Sequence, residues 1–202
     1  MVDEGQDFTP EAWEVISLLV AEDSPFYIFY DPDQNIFTKE LKLPDFGIPP
    51  VQLTKNCRNT KKIFEALKPY QSTASAILET APDGADVHVL HGDSRQLLER
   101  ELERLTMTEQ VPLQDIVILG GHSLEHTSIG ADPDVGRFHI VNRTAKIGAM
   151  EIAYFTYLKY KGCESKVVIL LDVDESDARW GNKNGIYTAM SRAVHQLVMI
   201  RK

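Results

Sequence analysis

No G-x-x-x-x-G-K-[ST] phosphate loop occurs anywhere in the 202 residues of this chain. That loop cradles the β- and γ-phosphates in nucleotide-hydrolysing machines, so independent ATP turnover by this chain is not expected. Cysteine is scarce: Cys57 and Cys163 lie far apart without metal-ligand spacing, which suits a reducing cytoplasm. No apolar run approaches the ~20 residues of a membrane span, and nothing at the start resembles a signal peptide. A basic excess is also missing. With 21 Lys and Arg against 30 Asp and Glu the net charge is −9, so no global positive field draws in nucleic acid. Any strand-binding surface must be a local groove or come from parts outside this chain. Repeats and low-complexity tracts are absent.

What is present reads as an ordinary globular protein. Hydrophobic content is 43%, enough for one large domain or a domain plus a fragment. Thr9-Pro10-Glu11 is a strong helix start, and Trp13, Ile16, Leu19 and Val20 give it an apolar stripe. Residues 26–30 (FYIFY) are continuously apolar, which predicts a buried strand. Three prolines and a glycine in residues 43–50 mark a linker and domain boundary. Beyond it, strands are predicted at 51–53, 87–90, 116–119, 138–141, 167–171 and 197–200. Helices are predicted from Asn59-Thr60 through Leu67, from Ser94 with Leu98, Leu102 and Leu105 on one face, and over 186–193. A polar loop spans 120–137. Strands alternating with helices predict a mostly parallel α/β sheet.

Several short constellations could carry chemistry. Asp3 and Glu4 follow an apolar residue at a strand end, where Asp would hold Mg²⁺ through water and Glu would polarise an attacking water. The plain alternative is an exposed acidic helix start. Gln34, in residues 31–34 (DPDQ), puts a neutral amide where it could sense a γ-phosphate, although Asp-Pro-Asp is also good turn chemistry. Arg58, between a strand and a helix, could neutralise a transferring phosphoryl group or simply staple the helix start by an ion pair. Gly162 permits close backbone approach and Glu164 could accept ribose hydroxyls; the alternative is a turn before a strand. Arg192, on a helix after Ser191, is either an arginine finger or a solvated arginine. No single one is specific.

Their order is. Residues 3–7 (DEGQD), 31–37 (DPDQNIF), 56–58 (NCR), 156–164 (TYLKYKGCE) and 187–193 (YTAMSRA) resemble, in sequence, five motifs of the UvrD/Rep-type superfamily 1 helicases. The resemblance implies a RecA-like P-loop NTPase fold without the phosphate loop itself. Residues 1–43 would be the C-terminal fragment of a first RecA-like domain, and 44–202 the second. Beginning within a strand also reads as an excised piece, whose missing N-terminal RecA-like domain would be a partner. ATP and Mg²⁺ would sit between the domains. Asp3, Glu4 and Gln34 would form one wall; Arg58, Gly162, Glu164 and Arg192 would form the other. Phe37 matches a position on which the family stacks a base, and Thr156 one that contacts strand phosphates. The implied partner is single-stranded DNA, with RNA as the alternative.

The chain departs from the family in places. Cys57 stands where many relatives carry a tyrosine against the adenine, Leu158 replaces a histidine, and Cys163 a leucine. Residues 38–40 lack the tryptophan that follows the glutamine motif. Too few residues separate Arg58 from Thr156 for the accessory domain of large relatives. The leading expectation is thus the C-terminal part of an ATP-dependent helicase, cytoplasmic, with no membrane partner. The alternatives are a helicase-derived binding or regulatory module that never hydrolyses ATP, and an unrelated α/β module.

Overall fold

The apolar runs at 116–119 and 167–171 are fully buried. The structure, a computed structural model, describes residues 1–21, 24–37, 40–142, 148–180 and 183–202. Among them lie four α-helices: α1 (Pro10–Leu18), α2 (Lys61–Leu67), α3 (Ser94–Glu103) and α4 (Lys183–Met190). The strands are β1 (Lys55–Asn56), β2 (Ala76–Ile77), β3 (His88–His91), β4 (Ile116–Gly120), β5 (Asp134–Val135), β6 (Phe138–Val141), β7 (Glu151–Thr156), β8 (Ser165–Val173) and β9 (Ala193–Arg201). β1 and β2 make a short parallel pair, and the other seven form one sheet in the order β3-β9-β8-β4-β7-β6-β5. Its neighbours pair parallel except β5 with β6, as the alternating pattern predicts.

Side chains alternate along a strand, so β8 serves two cores. Val168 and Leu170 pack with Ile63 and Leu67 of α2 and Ile186 and Met190 of α4. Val167, Ile169 and Leu171 pack with Leu98 and Leu102 of α3 and with Leu105. Helices covering both faces explain why the central strands read as unbroken apolar runs. Side-chain caps set the helix starts: Thr9 accepts the Ala12 amide, Thr60 the Ile63 amide, and Asp93 the Gln96 amide.

Several elements differ from the sequence pattern. Residues 26–30 contribute one parallel bridge, Val2 to Ile28, and Tyr27 and Phe29 are exposed. An apolar run buries both faces only when a layer covers each, and here none of the described residues does. Residues 51–53 are not a strand; pairing begins at Lys55, with Val51 and Leu53 exposed. On α1 only Trp13 is buried, and Leu19 faces out. The loop at 120–137 contains β5, hairpinned to β6 through Gly136, whose φ of 57° favours glycine. α4 stops at Met190, so Ser191 and Arg192 lie in the turn entering β9 rather than on the helix. Residues 44–54 form no regular element. Thr38 and Lys39, in the stretch that lacks the tryptophan, lie outside the described residues. No helix among the described residues is long and apolar enough to cross a membrane.

Candidate functional site

β8 and β9 begin side by side, with Ser165 opposite Ala193. The residues preceding each strand therefore meet at one edge of the sheet. The Ser165 amide donates to the Arg192 carbonyl at 3.0 Å, which brings Glu164 beside Arg192. Arg58, carried by the turn between β1 and α2, joins them through an ion pair between its Nε and Glu164 Oε2 at 3.2 Å. Its partner is thus across the site, and the start of α2 is left to Thr60.

Arg192 is only 2% exposed, which rules out the plain alternative of a solvated arginine. Its Nε donates to the Thr188 carbonyl at 3.0 Å. Its Nη2 donates to Gln34 Oε1 at 2.9 Å and Ser191 Oγ at 2.8 Å, and Nη1 lies 3.5 Å from the Cys163 carbonyl. All four acceptors are neutral oxygens. Buried guanidiniums are ordinarily matched by a carboxylate. Burial, and next the charge of nearby Arg58, lower the Arg192 pKa; Glu4 and Asp31 act in the opposite direction. The hydrogen bonds of Arg192 therefore bring it no carboxylate, while Arg58 is paired with Glu164, and Glu4 and Asp31 act on Arg192 without bonding it. A buried donor held this way can receive an oxyanion.

Gln34 reaches this arginine from residues 31–37. Asp31 accepts the Asp33 amide at 2.9 Å and opens a 3₁₀ turn, Pro32–Gln34. The turn chemistry visible in the sequence is therefore real, and it also aims the glutamine. Gln34 Nε2 donates to Asp31 Oδ2 at 2.8 Å, leaving Oε1 for Arg192. Burial pushes the Asp31 carboxyl above its usual pKa and raises that of the neighbouring Tyr187 hydroxyl to about 12. Asp33, 2% exposed, is clasped by Ser72 and Thr73. It accepts the Ser72 amide (2.8 Å) and hydroxyl, and the Thr73 amide (3.4 Å) and hydroxyl (2.6 Å). Asn184 adds bonds to the carbonyls of Pro32 (3.4 Å) and Asn35 (3.1 Å).

The acidic turn meets the same edge through Lys161. Its Nζ donates to Asp7 Oδ1 at 2.5 Å and the Gln34 carbonyl at 3.1 Å. It also stands 3.4 Å from Glu4 Oε2 and 5.4 Å from the Phe37 ring centroid. Glu4 adopts a left-handed backbone, φ 53°, and Gln6 bridges it to the Asp31 amide. Asp3 is exposed and turned back on the chain, its Oδ1 accepting the Glu4 amide. Gly162, at φ 81°, has open space where a Cβ would stand. No group of three or more His, Cys, Asp or Glu side chains converges among the described residues. The carboxylates that would hold a Mg²⁺ ion here are Asp3 and Glu4.

The structure thus brings Glu4, Gln34, Arg58, Glu164 and Arg192 together. It leaves Asp3 on the lip, Gly162 beside Lys161, and Phe37 57% exposed. Thr156 is elsewhere. It pairs with Gly120 at the far end of β4, whereas Val167 pairs with Ile116 at the near end, so Thr156 sits roughly 15 Å away across the sheet. Lys161, Asp33, Ser72, Thr73 and Asn59 were missed by sequence reasoning. Lys161 stood visible inside TYLKYKGCE, but nothing in the sequence marks Ser72 or Thr73.

The chain matches no family model and no curated protein by sequence. In fold it is similar to the C-terminal domain of a possible DNA helicase from Lactobacillus plantarum WCFS1, with a TM-score of 0.51 and 18% identity. The match covers 71% of this chain and 86% of that one. At such identity the likeness speaks to the fold alone, an α/β unit with a mostly parallel sheet flanked by helices.

Proposed function

We propose that this chain supplies the second wall of the ATP site, and part of the single-strand track, of an ATP-dependent DNA helicase or translocase of the UvrD/Rep type. In this reading residues 1–43 end a first RecA-like domain and residues 44–202 are the second. The observation that carries the reading is the buried Arg192, bonded only to neutral oxygens and standing beside Arg58. The order of the five motifs supports it, as does the fold shared with a domain described as part of a possible DNA helicase.

The roles are those that the motif positions imply. Arg58 and Arg192 neutralise charge on the transferring phosphoryl group. Gln34, a neutral amide already bonded to Arg192, exchanges that bond for the γ-phosphate or its attacking water. Glu4 would polarise that water, and Asp3 would help to hold Mg²⁺. When bound, Mg²⁺ would supply neutralisation of phosphate charge. Glu164 accepts ribose hydroxyls, and the open φ of Gly162 lets backbone approach the nucleotide. Phe37 offers an exposed ring for a base, and Thr156 contacts strand phosphates at the opposite edge.

The test is ATP turnover of this chain joined to a RecA-like domain that carries a phosphate loop, with and without single-stranded DNA. Strand-stimulated turnover is expected. Its absence in a well-folded joined protein would leave the second reading, a binding or regulatory module. That reading draws on one observation: Gln34 already fills the Arg192 donor that a phosphate would take.

A further inference from the structure

Asn59 follows Arg58 in sequence and reaches Arg192 in space. Its side chain is buried. The Nδ2 group donates to the Ala193 carbonyl at 2.6 Å and lies 3.4 Å from the Ser191 carbonyl. These two carbonyls flank Arg192. On the other side, Asn59 Oδ1 accepts from Asn56 Nδ2 at 2.8 Å. Asn56 Oδ1 in turn accepts the amides of Arg58 at 3.0 Å and of Asn59 at 3.1 Å. A single pair of side-chain amides therefore ties the backbone presenting Arg58 to the backbone presenting Arg192.

A cap for α2, the ordinary use of an asparagine just before a helix, does not account for this arrangement. Thr60 caps α2, and the Asn59 amide is spent on chain more than 130 residues away. The Ser191 and Ala193 carbonyls lie between the end of α4 and the start of β9, and Asn59 supplies them a donor. The bonds that Arg192 makes through its own side chain fix the guanidinium relative to α4 and Gln34, but not relative to Arg58. The two guanidiniums carry like charge, so nothing in their direct interaction holds them close. The half-exposed Arg58–Glu164 ion pair and the packing of α2 on the core also oppose their separation, but the amide link is the one that joins the two presenting backbones through a buried side chain.

We infer that Asn59 is a positioning residue that sets the spacing of Arg58 and Arg192, so that both guanidiniums address one phosphoryl group. The inference rests on the phosphate-site reading above for what the spacing serves, but not for the spacing itself. It can be tested on this chain with two readouts: the NMR resonance of the Arg192 Nε–H, and calorimetric affinity for inorganic tripolyphosphate. The wild type, Asn59→Ala, Arg192→Ala and the double variant form a cycle, and Asn59→Ser, which keeps one donor, replaces Asn59→Ala if that variant does not fold. Asn59→Ala is expected to shift or broaden the Arg192 Nε–H resonance and weaken tripolyphosphate roughly tenfold, with no further loss in the Arg192→Ala background. Asn59→Ser should move both readouts the same way by less. An unchanged Nε–H resonance, or losses that add in the double variant, overturns the inference. If even the wild type fails to bind tripolyphosphate, the phosphate reading falls, and the resonance alone decides whether Asn59 positions Arg192.

Discussion

Residues 1–54 and residues 55–202 follow the same rules of helix start and apolar spacing, yet end in opposite states. In the second region apolar side chains form two contiguous cores on either face of the sheet. In the first, Trp13 is the one apolar residue in the buried set, while Met1, Val15, Leu18, Leu19, Tyr27, Phe29, Phe46, Ile48, Val51 and Leu53 are all exposed. The two regions differ in what they have to pack against, not in their pattern. α1 has a capped start and an apolar stripe, but among the described residues no sheet lies against Val15, Leu18 and Leu19. What fastens the first region to the second is mostly polar, with Ile36 the partly buried apolar residue packed against the core: Asp33 in its clasp, Gln34 on Arg192, and Lys161 on Asp7 and Glu4. The site lies on that seam.

The contrast predicts unequal costs for equal truncations. Trp180 is buried, stacks on Tyr157 at 5.6 Å and donates its Nε1 to the Asp172 carbonyl. Trp180→Ala should cost about 3–5 kcal/mol in urea or thermal unfolding. Leu18→Ala, at a side chain 84% exposed, should stay within about 0.5 kcal/mol. A Leu18 cost above ~2 kcal/mol would mean that the outer face of α1 is covered in solution, and the contrast would break.

A smaller effect is expected at the seam. Asp33→Ala removes the acceptor of four donors from Ser72 and Thr73 and should cost about 1–3 kcal/mol. Amide hydrogen exchange should accelerate across residues 31–37 while β8 keeps its protection. Equal acceleration in β8 would mean that the seam is part of the main core rather than a polar fastening.

The smallest stability change should come at Phe37, whose ring is exposed beneath Lys161. Its truncation should leave unfolding within about 1 kcal/mol. In the joined protein, single-strand affinity should fall by about 1–3 kcal/mol, the value of one stacked base. Unchanged affinity would remove Phe37 from the strand track.

The unequal packing also explains how much was legible from residues alone. Strands at 116–119, 138–141 and 167–171 and the caps at Thr9 and Thr60 could be read, because their signals are local and a sheet was there to satisfy them. Residues 26–30 carried the same apolar signal without a layer to cover both faces, so they make a bridge instead of a strand. In the site, Glu4, Gln34, Arg58, Glu164 and Arg192 were legible as an ordered set, since each sits in a short motif. Their bonding was not. Whether Arg192 is buried depends on Gln34, 158 positions away, and the partner of Asp33 is a Ser-Thr pair with no local mark. Thr156 and Glu164 belong to one motif but stand at opposite edges of the sheet, because the segment between them runs back along it.

In the proposed function, the buried, neutrally bonded Arg192 is held for a phosphoryl group. The most direct measurement is kcat for ATP hydrolysis, alongside ATP affinity, in the joined protein bearing Arg192→Ala. The account predicts a fall of ~10³–10⁵ in kcat, with ATP binding largely kept. A loss smaller than about tenfold would contradict it and return Arg192 to a structural role at the entrance to β9.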